Sequence, residues 1–169
     1  MDMNKDWEVL QEKLQAFLLP EWSLLPDFGL YMDQLVTYVE RCFAVLTDSE
    51  LVSLTPSMIN NYVKAGLIDR PQGKKYSREC LAQLLMICEL KQTTPLSAMQ
   101  KLLHPQGDPG TQALYESFRS TQTALLDEMH HRPETDALSC ALEAAGYQLL
   151  CRMLISGAER PAEKKNKKK

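Results

Sequence analysis

The chain has 169 residues, is 44% hydrophobic and carries a formal net charge of −3. That is apolar material for one domain with a real core, with or without an appendage, and too much for a disordered chain. The charge is uneven: five bases against one acid give residues 55–78 a charge of +4, six bases against two acids give 159–169 the same, and the remainder therefore carries −11.

No apolar run reaches the roughly 18 residues of a membrane span. The opening stretch MDMNKDWEVLQEKL is charged, without the apolar core of a secretory signal. A cytoplasmic protein with no membrane partner is expected.

Helical periodicity runs nearly throughout. Residues 4–18 place Trp7, Leu10, Leu14, Phe17 and Leu18 at helical spacing. Pro20 and Pro26 then punctuate a loop whose Trp22, Leu24 and Leu25 are too apolar to float free. A second helix is predicted over 30–45, with Leu30, Met32, Leu35, Val36, Val39 and Phe43 as its stripe and Leu46 just beyond. After a short segment at 48–54, Thr55-Pro56 reads as a capped helix start. That helix carries Met58, Ile59, Tyr62 and Val63 and stops at Gly66, a residue suited to the left-handed turn that ends helices. Residues 67–76, with Pro71 and Gly73, read as a turn or small hairpin. Ser77 then caps a helix running to about 91. Thr94-Pro95 repeats the cap-plus-proline start for a short helix. The loop HPQGDPG (104–110) marks a subdomain boundary, and helices over 111–130 and 134–155, separated by Pro133, form an expected antiparallel hairpin. The tail KKNKKK reads as disordered.

The five cysteines form no Cys-x-x-Cys pair and lie in apolar helical patterns, so buried reduced thiols are expected. Cys140 and Cys151 stand three helical turns, about 16 Å, apart, too far for one ion within a chain. Met86, Met99, Met129 and Met153 are spaced as core filler. His130 and His131 point about 100° apart on a helix, which suits carbonyls at a helix end better than a metal. There is no Gly-rich phosphate loop, no Gly-x-Ser-x-Gly and no His-Glu-x-x-His. No catalytic residue, metal or cofactor is assigned, and the chain is not read as an enzyme.

The basic stretch is the candidate site. Ser57, Asn61 and Lys64, with Asn60 beside them, share a helix face opposite Ile59, Tyr62 and Val63. Asn is a natural reader of adenine edges, and Ser and Lys are common phosphate contacts. Lys74, Lys75, Tyr76 and Arg78 would grip the flanking phosphates. Double-stranded DNA is the expected partner.

The order of parts resembles the winged helix-turn-helix of MerR-type transcription regulators. NNYVKAGLI is similar to the end of that family's recognition helix, KKYSRECLAQL to the return of its wing and the following cap, and MICELKQTTPLSAMQKLL to the next two helices. The short helix lacks the arginines usual there: Asn60 and Asn61 stand where that family often has Arg and Tyr. Over about residues 20–155 the chain also resembles an uncharacterised bacterial family, domain of unknown function 1836, through LYMDQLVTYVE, LTPSMINNYVKAGLI and KKYSRECLAQLLMICELKQ.

The expectation is an all-α protein of about seven helices. Residues 1–104 would form a helical domain with the winged helix-turn-helix at about 52–104, residues 111–157 a helical pair for dimerisation or an effector, and residues 158–169 a basic tail. The pair's stripe would be Leu114, Phe118, Leu125, Met129, Leu138, Leu142, Leu149 and Leu150. The implied function is DNA binding and transcription regulation, with homodimers forming through the C-terminal helices. The alternative is a protein–protein adaptor that keeps the winged fold without binding DNA.

Overall fold

A computed structural model describes residues 3–45, 53–104 and 109–157. The basic tail, most of the 104–110 loop and part of the segment at 48–54 lie outside the described residues. Among those described, the chain is all-α, with seven helices and no extended strand: α1 (Met3–Ala16), α2 (Met32–Phe43), α3 (Pro56–Lys64), α4 (Arg78–Leu90), α5 (Leu96–Leu103), α6 (Thr111–His130) and α7 (Ala137–Gly157). A single 3-10 turn spans Trp22–Leu24.

The chain divides into two compact units, the first through Glu134 and the second from Thr135. In the first, α4 is the axle. Every residue from Cys80 to Cys88 is buried, Gln83 included. A helix apolar on all sides has to be wrapped on all sides, and α2, α5 and α6 pack against it. Leu35, Val39 and Phe43 of α2 and Ile59 and Tyr62 of α3 join this core. Leu25 anchors the proline-bounded loop as expected, while Leu24 stays 68% exposed.

Four expectations are corrected. The second helix starts at Met32 rather than 30, because Leu30 is drawn into an antiparallel bridge with Tyr76. Pro95 is the N-cap of α5 rather than its first turn; Thr94 is buried and donates its N–H back to Leu90.

Third, the boundary expected at 104–110 does not divide the core. α6 packs on α1 and α4, and it does so through Tyr115, Gln122 and Leu126, leaving Leu125 51% exposed. Its polar side chains clasp the chain 100 residues earlier. Tyr115 donates its hydroxyl to the Pro20 carbonyl (2.8 Å), and Arg119 Nε donates to the Leu19 carbonyl (2.9 Å). Gln122 accepts from the Leu19 N–H (3.1 Å) and donates to Glu89 of α4 (2.8 Å). Burial pushes the Glu89 carboxyl up to about 7, against a smaller opposing effect of the Gln122 bond.

Fourth, α7 makes up the second unit without α6, and none of its residues is buried. Asp136 starts it, its carboxylate accepting from the Ser139 N–H (3.0 Å) and hydroxyl (2.7 Å). These bonds hold the Asp136 carboxyl below its ordinary range. Cys140 is exposed, not buried, and Met153 is 64% exposed, not core filler. By length and composition α7 is also long and apolar enough to cross a membrane, contrary to the expectation that no stretch is.

Candidate nucleic-acid interface

The candidate site is built from local rules that hold in the structure. Thr55 caps α3, its hydroxyl accepting from the Met58 N–H (3.2 Å), and Pro56 opens the first turn. Gly66 ends the helix at φ 68°. The Gly66 N–H bonds to Val63 and the Leu67 N–H to Tyr62, a pairing that needs the left-handed residue at that point. Ile59 and Tyr62 fix one side of α3 in the core. Ser57, Asn60, Asn61 and Lys64 are all exposed. The predicted polar face is therefore present and free of the core.

The turn that follows is held from below. Leu67 and Ile68 are buried. The Asp69 backbone is gripped at both ends: its N–H donates to buried Gln83 (3.4 Å), and its carbonyl accepts from the Cys80 thiol (3.5 Å). Gln72 and Lys75 then exchange two backbone bonds (2.9 and 3.1 Å) around Gly73-Lys74. Gly73 has φ 66° and Lys74 does not have positive φ. That is the two-residue hairpin with glycine first, whose twist matches its flanks. Lys74 and Lys75 are exposed at its tip.

Two of the eight candidate residues are placed otherwise. Tyr76 turns inward: it is 4% exposed, and its backbone exchanges bonds with Leu30 (2.9 and 2.8 Å). Its ring is thus a core element and cannot reach a phosphate. Burial raises its hydroxyl above the ordinary value. Arg78 is half-buried, its guanidinium 5.7 Å from the centre of the Trp22 ring and 3.8 Å from the Asp27 carboxylate. It braces the loop before α2. Ser77 is the cap that the sequence suggests, accepting from the Cys80 N–H at 3.4 Å.

Sequence reasoning missed the flank of the hairpin. The Lys75 ammonium lies 5.3 Å from the centre of the Tyr31 ring. A Cβ on Gly29 would come within 2.8 Å of Lys75 Cβ, so only glycine lets the lysine stem cross there. On the segment before α2, Leu24, Phe28 and Tyr31 are 68, 66 and 47% exposed. A groove of about 480 Å³ runs along α2 from Phe28 and Leu30 to Tyr38 and Arg41. The signal was available in FGLY (28–31), an apolar run at a loop end, but the helical stripe assigned to 30–45 absorbed it.

A second groove of about 710 Å³ lies between the 3-10 turn and α6, lined by Glu21, Trp22, Gln112, Glu116, Arg119 and Asp127 among others. No methionine lines it. His131 bonds the Asp127 carbonyl at 2.8 Å, the helix-end role expected of it. Among the described residues no three His, Cys, Asp or Glu side chains are grouped to hold a metal ion.

Searches of the curated proteins and of the solved structures each return no match. The profile described as "Domain of unknown function (DUF1836)" matches residues 20–118, more than half of the chain, from the proline-bounded loop through α5 into α6. The protein belongs to the DUF1836 family.

Proposed function

We propose that this protein binds double-stranded DNA as a transcription regulator, through a MerR-like winged helix-turn-helix over about residues 52–104, with α3 as its recognition helix and the hairpin at 72–75 as its wing. One observation carries the reading: α3 buries Ile59 and Tyr62 while its Ser57, Asn60, Asn61 and Lys64 stay open, and a lysine-tipped hairpin follows on the same core. Asn60 and Asn61 would read base edges in the major groove, and Ser57, Lys64, Lys74 and Lys75 would hold phosphates. The −11 charge on the chain outside this stretch and residues 159–169 disfavours a polyanion over the acidic body. A single unit of this size reads little sequence, so a dimer on two half-sites fits best.

The test is fluorescence anisotropy with a labelled duplex across a salt series, comparing wild type with Lys74→Glu/Lys75→Glu. Salt-sensitive binding lost in the double variant is the expected result. A folded protein that fails to bind at low salt would overturn the reading.

The exposed Phe28, with the groove it lines, favours one second reading. In it the same fold serves as an adaptor for a protein partner. Such an adaptor is indifferent to the lysine reversal and loses its partner on Phe28→Asp.

A further inference from the structure

The second unit raises a question that the dimer expected above leaves open: which face of α7 meets its partner, and in which direction. In proteins most helical stability comes from packing of an apolar face, yet α7 holds Leu138, Leu142, Tyr147, Leu149, Leu150, Met153 and Leu154, each at least 51% exposed. Gln148, Cys151 and Ile155 form a half-buried line along one side. At about 100° per residue, the side opposite them carries Leu138, Leu142, Gly146, Leu149, Met153 and Gly157. No charged residue interrupts that stripe; Glu143 and Arg152 flank it.

Gly146 is the informative residue. In mid-helix a glycine costs about 1 kcal/mol against alanine. A Cβ added there would meet nothing within 4 Å, so the chain's own packing gives no reason for it. Close approach of a second backbone does.

From this we infer that α7 is the interface of a homodimer, lying antiparallel against α7 of a second copy across this stripe. Three arguments select that occupant and direction. Read backwards, the stripe complements itself: Leu138 meets Gly157 of the other copy, Leu142 meets Met153, and Gly146 meets Leu149, so large faces small or flexible throughout. A two-fold axis requires such self-complementarity. Next, the four large side chains leave open on the order of 500 Å² per helix, so a pair buries about 1,000 Å², the lower bound of a specific interface. Finally, residues 159–169 carry +4. Parallel helices would bring two such tails together. Antiparallel helices of about 31 Å hold their starting points well beyond the Debye length of about 8 Å. The inference does not depend on DNA binding.

The experiment is light scattering on the full chain, with Gly146→Leu as the diagnostic variant. The substitution improves helix propensity and apolarity, so an isolated or bilayer-inserted helix would tolerate it. In the pair it drives a branched side chain into Leu149 of the partner subunit. Wild type is expected at twice the chain mass, and Gly146→Leu as a monomer with an unchanged melting curve for the first unit. Direction is read with a short bismaleimide: Leu142→Cys and Met153→Cys, each no more cross-linked alone than wild type, should cross-link when mixed. A monomeric wild type overturns the inference. So does binding of that monomer to phosphatidylserine vesicles, a dimer that survives Gly146→Leu, or cross-linking of Leu142→Cys by itself.

Discussion

Lys75 and Tyr31 meet across Gly29: the ammonium stands 5.3 Å from the ring centre, and the lysine Cβ lies 2.8 Å from where a Gly29 Cβ would be. This crossing joins the loop before α2 to the hairpin tip. Gly29→Ala forces the stem of Lys75, not its flexible end, to move. Overpacking of this kind costs about 1–3 kcal/mol, and urea unfolding of the variant should show it.

The same pair predicts a partial effect on DNA. Tyr31→Leu removes the ring face under the ammonium, a contact worth about 0.5–1 kcal/mol at an exposed position. Duplex affinity should fall by about two- to fivefold, and the thermal midpoint by a few degrees, because the contact is also present in the free protein. An unchanged affinity would mean that Lys75 needs no support from the ring.

Salt dependence separates the roles of the exposed residues. Lys74→Gln and Lys75→Gln should each reduce the slope of log affinity against log salt by about 1, because each removes one phosphate contact. Asn60→Ala should leave that slope alone and cost about 1–3 kcal/mol on a selected sequence only. A slope that shifts with Asn60, or holds with the lysines, would reassign them.

Glu89 makes stability depend on pH. Its carboxyl rises from an ordinary 4.5 to about 7 in the folded protein. Between those values the folded state holds a proton that the unfolded state has lost, so stability falls as pH rises through that window and levels off above it. At about 1.4 kcal/mol per unit the drop is at most about 3.5 kcal/mol. Glu89→Gln keeps an acceptor for Gln122 and cannot ionise. It should be more stable than wild type at pH 8, equal to it near pH 4, and free of the slope in urea titrations.

Tyr115→Phe isolates the clasp between α6 and the proline-bounded loop. The ring is fully buried and its shape is retained, but the Pro20 carbonyl loses its donor. Pro20 is half-buried, so loss of this bond costs about 0.5–1.5 kcal/mol. The loss should appear in the unfolding free energy and not in the DNA salt slope.

Much of this was legible in the sequence because it rests on short-range rules. Thr55, Gly66 and Ser77 act as caps and stops through bonds to residues within a few positions of them, and α4 declares its burial by being apolar on every side. Several misreadings share one cause: a long-range bond decides the outcome. Tyr76 looks like part of a basic hook until Leu30, 46 positions earlier, takes up its backbone. Arg78 looks like a phosphate ligand until Trp22 and Asp27 meet it. α6 pairs with the core through Tyr115, Arg119 and Gln122, polar residues that a hydrophobic stripe passes over. Periodicity records which side of a helix is apolar, not which distant carbonyl its polar side chains will find.

The clasp on Leu19 also separates kinship from folding. The family match runs from residue 20 to residue 118. Leu19 stands one position before it, and Arg119 and Gln122, which hold Leu19 by its carbonyl and its N–H, stand just after it. Beside the Tyr115–Pro20 bond within it, the two ends of the inherited stretch are thus buttoned together by residues outside it. A chain trimmed to 20–118 would keep the whole matched ancestry and lose both bonds to Leu19, with Glu89 left without the amide that serves it. In this protein the segment that evolution marks as a unit is shorter than the segment that physics can hold closed.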